Sequence, residues 1–498
     1  MKIHLFFIVC CFFLFSCCKQ YDRLYIALEY AGNNRMALEN VLRHYENDSL
    51  KLRAAKFLIE NMPYHFSLVE ELVSSSGTGY YPDITCFSGK ESVKRHCDSL
   101  YFSGYRLQRK YVYDIHSLTA GYLIDQIDLA FEVWQKPWSK GVSFDDFCRH
   151  VLPYRVENER LTSLRKELKE KYLPLLDSAG VTTVKDACRV MNGQLRKDLL
   201  YLRTGNPLKA TIEQTYRSGI GTCDDLSNYA VHAMRSVGIP ITRKQTKWTR
   251  NASSHFWVSV LHEDGFFDYN PGEVVNDSFP YELADRPFLR PAKIYRREYL
   301  AESVLPSACD DGYVTYLKNP LLRDVTEEQL ASVYTLCVPL SGNVSVEAGR
   351  QLYLCSFNEG HWEPLALGRN EDGTAVFPKV AGRNFFIVAE YRDGRLRFLT
   401  FPFATSEDGT IRVLDGTPAD VETYTFDRVR NRPMTEVGYW DHGLSAIVDL
   451  SCESYTDTTQ TYHNVPKNAF LYVRRYTTPL SLRYGIIDNG VYKNNKDW

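Results

Sequence analysis

From Tyr21 to Thr204 the apolar residues recur at helical spacing. In NDSLKLRAAKFLIENMP, residues 47–63, Leu50, Ala54, Phe57, Leu58 and Met62 mark one face, an Asn or Asp precedes the run as a cap, and Pro63 stops it. The same spacing predicts helices at Ser117–Gln135, Glu159–Asp177 and Thr183–Arg203. Between residues 205 and 300 the pattern is mixed: one helix after Gly221, then the alternating runs SHFWVSVL and GFFDYNP. From Val325 onward it is β throughout, as in VSVEAGRQLYLCSF, NFFIVAEYRDGRLRFLTF and NAFLYVRRY, with Gly, Asp and Asn marking the turns. TSEDGTIRVLDGTPAD, residues 405–420, reads as a linker. The expected architecture is multidomain α+β: a helical N-terminal region over 17–204, a mixed core over 205–324, a β-sandwich (Ig-like) domain over 325–416 and a second small β domain over 417–498.

Residues 1–16 read differently. Lys2 precedes an apolar run from Ile3 to Phe15, which is shorter than the span of about 20 residues that crosses a bilayer and fits an export signal. Leu14-Phe15-Ser16-Cys17 resembles the lipobox of bacterial lipoproteins, which implies cleavage before Cys17 and attachment of lipid to its thiol. An ordinary signal peptide is the alternative. The expectation is an exported protein, lipid-anchored in the cell envelope, with the outer membrane favoured.

Composition narrows the partners. A 44% hydrophobic chain with 13% aromatic residues and a net charge of -2 builds packed domains and lacks the basic balance of a nucleic-acid binder. The thirteen cysteines include four at positions 10, 11, 17 and 18, and the rest form no CxxC pair or Cys/His cluster with zinc spacing, so no metal or other cofactor is expected. Cys337 and Cys355 are the one candidate bridge between strands, against a default of single buried thiols.

The chemistry concentrates in GIGTCDDLSNYAVHAMRSVGIP, residues 219–240. Gly219 and Gly221 allow a sharp turn, and Leu226, Tyr229, Ala230, Ala233, Met234 and Val237 then mark one helical face. Cys223 sits at the helix start, where the dipole favours a thiolate; a buried structural cysteine is the competing reading. In the following strand His255, Trp257 and Ser259 share a face. A Leu261–Asp264 loop sets Trp257 opposite Asp268 and His255 opposite Asn270, whereas a tight Asp264-Gly265 turn slides the register by four. Either way Asp268 and Asn270 share a face, and one of them is placed to orient the His255 ring toward the thiol. Trp248 is a candidate wall for an acyl site, with a core or surface role as the alternative.

Together Gly221-x-Cys223-x-Asp225-x-Ser227, Gly238-Ile239-Pro240, His255-x-Trp257 and Asn270-Pro271 resemble the catalytic core of the transglutaminase-like superfamily. The longer arrangement is similar to exported transglutaminase-like lipoproteins of Bacteroidetes. The resemblance implies a papain-type fold in which the cysteine begins a helix and the histidine and an acid lie on adjacent strands. Two departures stand out: Ile241 and Thr242 separate the Gly-Ile-Pro from Arg243, and Asn270 holds the place before proline where the family usually has its acid, with Asp268 two residues earlier. Asp268 keeps the charge and is the favoured third member; Asn270 keeps the position.

The implied activity is acyl transfer through a thioester at Cys223, with His255 as acid and base, on a peptide, protein or peptidoglycan-like amide. Water as acceptor gives a peptidase or amidase, and an amine gives a transferase. The alternative is a catalytically silent lipoprotein that uses the core and β domains to bind a glycan or protein. Exposed Trp362, Tyr391 and Trp440 would suit that role, while buried ones would brace the core.

Overall fold

The computed structural model describes residues 22–83, 86–87, 90–202, 208–249, 254–271, 291–302, 311–313, 315–340, 345–358, 360–427, 435–474, 482–488 and 490–494. The expected signal and Cys17 lie outside them. Among the described residues no helix is long and apolar enough to cross a membrane.

The fold is mixed α+β, with helices first and sheets last. Helices Arg23–Tyr30, Arg35–His44, Ser49–Asn61, Ala120–Trp134 and Phe144–His150 share one apolar core around Leu38, Val41, Leu58, Ile127 and Phe147. Local chemistry sets their starts. The Asp48 carboxylate accepts from the Lys51 amide at 3.1 Å, and the Thr119 hydroxyl from the Tyr122 amide at 3.2 Å. Three boundaries differ from the expectation. Ser117 ends a separate short helix, Asp114–Ser117. The helix expected from Glu159 begins only at Arg165, because the Glu159 carboxylate is held by the Val156 and Glu157 amides in a loop. The helix expected to reach Arg203 stops at Asp198, and Leu200–Tyr201 then pairs in parallel with Ile220–Gly221.

This region is not wholly helical. Phe66–Val73 is the central strand of an antiparallel three-stranded sheet with Gly79–Tyr80 and Arg106–Tyr113. The two longer strands have no consistently buried face, so they carry no clean alternation for the sequence to display.

Helices Arg165–Ala179, Val184–Asp198, Ile212–Ser218 and Cys223–Arg235 pack with a five-stranded antiparallel sheet. Its order is Leu322–Asp324, Tyr295–Arg297, Ile241–Lys247, Ser254–His262, Gly265–Tyr269. Buried Arg235 locks this core to the helical region, donating to the carbonyls of His150, Ile241, Pro153 and Arg155.

Beyond it lies an eight-stranded sheet running from Val333–Pro339 to Ile411–Val413, then a three-stranded and a five-stranded sheet. Phe403–Thr405 and Ile411–Val413 pair with each other, so much of the expected 405–420 linker is a β-hairpin of the large sheet. Tyr353, Phe357, Trp362 and Phe385 of that sheet share a core with Trp440, Phe470 and Tyr484 from beyond it. Trp362 and Trp440 are both buried, their rings 5.9 Å apart and edge to face. Tyr391 is half-buried and stacks on Tyr313. Cys337 is exposed and Cys355 buried on strands separated by two others, and both are unbridged.

Candidate active site

Helix Ile212–Ser218 ends at Gly219, whose φ of 63° lies in the left-handed region, and a Cβ added there would sit 2.3 Å from the Asp198 carbonyl oxygen. Thr222 then caps the 13-residue helix Cys223–Arg235 in a reciprocal box: Asp225 Oδ2 accepts from the Thr222 amide at 2.9 Å and from its hydroxyl at 2.8 Å. Gly221 must stay small, since a Cβ would approach that of Asp225 to 2.6 Å. Half-buried Cys223 is therefore the first residue of the helix, at the positive end of its dipole. Burial, with repulsion from Asp224, raises the Asp225 pKa above the ordinary carboxylate value.

The hairpin that carries the other candidates has a two-residue Glu263-Asp264 loop, with His262 opposite Gly265, Val260 opposite Phe267, Ser259 opposite Asp268 and Val258 opposite Tyr269. This register falls midway between the two expected ones, two residues from each. A shift of two keeps each side chain on its face but changes its neighbours. Asp268 now stands opposite Ser259, four residues along the strand from His255, or about 13 Å of rise. Its Oδ1 accepts from Ser259 Oγ at 2.7 Å and Lys244 Nζ at 3.0 Å, and its Oδ2 from Trp257 Nε1 at 2.7 Å. Asp268, the favoured orienting acid, thus binds Ser259, Lys244 and Trp257, and His255 is not among its partners. Lys244 is 1% exposed; burial pulls its pKa down, and Asp268 opposes that.

Buried His255 is gripped by aromatics. Its ring stacks against Trp248 at 5.4 Å and 18°, and against Trp257 at 5.6 Å and 19°. Trp248, the candidate wall of the acyl site, lies on the histidine itself. Asn270 follows the return strand directly, and both polar atoms of its side chain are buried and accept or donate no hydrogen bond among the described residues.

The helix start and the histidine strand meet at Ser227. Its hydroxyl is 2.5 Å from the Cys223 carbonyl oxygen and 3.1 Å from that of Phe256, the residue after His255. The return strand stops opposite Val258, which leaves the Phe256 edge to the helix. At the helix's other end the Tyr269 hydroxyl donates to Met234 Sδ at 3.1 Å. The helix therefore runs from the edge of the hairpin to its face, with Cys223 alongside the strand that holds His255.

A ring of charge underlies this junction. Arg243, 1% exposed, pairs with Asp224 Oδ1 and, at 2.6 Å, with Glu157 Oε2, and its guanidinium lies 4.6 Å from the Phe256 ring centre. Lys209 Nζ closes the ring, 2.7 Å from Glu157 Oε2 and 3.0 Å from Asp224 Oδ2. Burial opposes charge at Glu157, yet Arg243 and Lys209 hold its pKa well below the ordinary range. The Lys209 side chain stays 39% exposed, and Asp224 and Glu157 raise its pKa above the ordinary lysine value. Sequence reasoning missed this ring, and Arg243 was noted only as displaced from the family position. The available signal was its alternation with Ile241 and Gln245 on the strand face that meets Phe256, Val258 and Val260.

Among solved structures, the chain is similar to the crystal structure of red sea bream transglutaminase at 10% identity, over 85% of this chain and 76% of that one, with a TM-score of 0.21. Overlap at that score carries no argument. No curated relative matches the sequence. Residues 176–271, which span the helix of Cys223 and the hairpin of His255, match the model of the transglutaminase-like superfamily, and this segment is a transglutaminase-like core.

Proposed function

We propose that this chain is an exported, lipid-anchored cysteine enzyme that acts on amide bonds through a thioester, as a peptidase, amidase or acyl transferase. In this reading Cys223 is the nucleophile, His255 the acid and base, Asn270 the residue that orients His255, and Cys17 the lipid attachment. The thiolate adds to the amide carbonyl, and His255 protonates the departing amine, leaving the acyl group on sulfur. Water or a second amine then displaces it, giving up a proton to His255 and regenerating the thiolate. The observation that carries the reading is the Ser227 hydroxyl shared by the Cys223 and Phe256 carbonyls, which ties the first turn of the cysteine helix to the backbone beside His255.

Asn270 is preferred to Asp268 because the Asp268 carboxylate is occupied by Ser259, Lys244 and Trp257, whereas the Asn270 amide is buried and makes no hydrogen bond among the described residues. Burial of Trp362 and Trp440 speaks against a glycan-gripping role for the β half.

Dipeptidyl p-nitroanilides offered to the full mature chain test the activity. Turnover should vanish in Cys223→Ala and His255→Ala while their melting curves stay close to the parent. Retained turnover in either variant removes the proposal. Mass spectrometry of the mature N-terminus tests the anchor, which requires a diacylated Cys17.

A further inference from the structure

Two carboxylates, Asp224 and Asp225, follow Cys223 directly, and a neighbouring anion disfavours a thiolate. Asp225 is taken up by the cap, accepting from the Thr222 amide and hydroxyl, and burial raises its pKa above the ordinary carboxylate value. Asp224 is the other, and both its oxygens are met by cations from outside the helix: Arg243 from the strand next to that of His255, and Lys209 from the segment before helix Ile212–Ser218. We propose that Arg243 and Lys209 act on Cys223 through Asp224: by pairing with its carboxylate they cancel the negative charge beside the thiol and pin the helix start to the strands that carry the site.

This inference rests on the reading of Cys223 as nucleophile. The geometry favours it over a plain stability role. A bridge that only had to join the helical region to the core would need Arg243 and Glu157, yet Lys209 is added against Asp224 although its side chain remains 39% exposed. Arg243 also lies over Phe256, whose carbonyl takes the Ser227 bond, so one cation touches both the acid beside Cys223 and the residue beside His255. Besides Glu157, the charged groups facing the ring are Glu159 from the loop before Arg165, Arg297 from strand Tyr295–Arg297, and His232 on the cysteine helix, which bonds to Glu159 at 3.0 Å. Arg243 and Lys209 are positioning residues in this scheme and touch no substrate.

The test is the pH profile of Cys223 alkylation by iodoacetamide, followed by peptide mass spectrometry in the full mature chain. Arg243→Gln should raise the midpoint and slow alkylation at neutral pH by about tenfold. Lys209→Gln, at a more exposed site where folding is safe, should shift it the same way by less. Adding Asp224→Asn to Arg243→Gln removes the anion and should return the midpoint to the parent value or below. A purely mechanical clamp would leave that double variant as impaired as the single one, and this outcome overturns the proposal. An unmoved midpoint in both Lys209→Gln and Arg243→Gln overturns it too. The parent chain reports separately on the underlying reading: Cys223 should react faster than exposed Cys86 and Cys337. Slower reaction there counts against Cys223 as nucleophile, whatever the variants do to the midpoint.

Discussion

Replacing Asp268 and Asn270 in turn separates a structural acid from an orienting amide. Asp268→Ala leaves the Lys244 ammonium, 1% exposed, without its counter-ion, and takes the acceptor from Trp257 Nε1 and Ser259 Oγ. Breaking a buried ion pair from one side costs about 3 to 5 kcal/mol, and the two orphaned donors keep the estimate at the upper end. Against a typical domain stability of about 5 to 15 kcal/mol this is a large fraction, so the urea midpoint should fall sharply, read through the fluorescence of buried Trp257. Asp268→Asn should be milder, because an amide oxygen still accepts from Trp257 or Ser259 while Lys244 sheds its proton. Asn270→Ala removes no hydrogen bond among the described residues and should change stability by less than about 1 kcal/mol. Its effect should appear in turnover, as a fall of about tenfold to a hundredfold with an unchanged melting curve. The reasoning fails if Asp268→Ala melts like the parent but loses activity, which would put the carboxylate to work on His255 in solution. It also fails if Asn270→Ala turns over normally.

Two further perturbations follow from burial and backbone geometry. Burial pushes the His65 pKa down to about 3 and that of His150 well below its ordinary value. The unfolded chain takes up these protons near pH 6.5 and the native chain does not. Stability present above that pH should therefore fall as acid is added, by about 2 kcal/mol per histidine between pH 7 and pH 5, and equal urea midpoints at the two pH values would contradict it. Gly219→Ala forces a Cβ to 2.3 Å from the Asp198 carbonyl oxygen at a φ of 63°, so it should cost about 3 kcal/mol and displace the turn into Cys223. Normal expression with unchanged Cys223 alkylation would show that the turn tolerates the change.

What the sequence displayed was local. The turn at Gly219 and Gly221, Cys223 at the helix start and the apolar face of its helix lie within twenty residues, and all are found. The hairpin was legible as two alternating strands with His255 on the face of Trp257. Its register was not, because the chain HEDG admits loops of different length and each keeps the same residues on the same face. That ambiguity of two residues is what separates an acid near His255 from one bonded to Lys244. Charge-bearing contacts across the chain were the least visible: Glu157, Lys209, Asp224 and Arg243 come from four separate segments, and nothing in their spacing announces a ring.

The β half enters the same argument through Trp248. That ring stacks on His255, and its backbone bridges to Pro291 at the start of the segment that feeds strand Tyr295–Arg297 of the core sheet. The residues on either side of Trp248 are bonded into the large sheet, Lys247 to Glu363 and Thr249 to Asn384. Nearby, the Tyr295 hydroxyl donates to the Leu365 carbonyl at 2.9 Å, the Ala381 amide to that of Ala292 at 3.1 Å, and Lys293 Nζ to those of Pro378 and Lys379 at 3.1 and 3.0 Å. Ending the chain at Asp324 would strip these partners and expose buried Ala292, Tyr295 and Lys293. Such a protein should aggregate. A gentler cut is Asn384→Ala, which leaves the sheets in place and removes the Asn384 acceptor of the Thr249 hydroxyl beside Trp248, together with the bonds Asn384 Nδ2 donates to the carbonyls of Ala381 and Gly382. It should lower turnover several-fold while stability from urea unfolding falls by about 3 kcal/mol, the size of three lost hydrogen bonds. If the truncated chain instead stays soluble and cleaves dipeptidyl p-nitroanilides at the full rate, the β half is not a brace for the site, and Trp248 holds His255 without it.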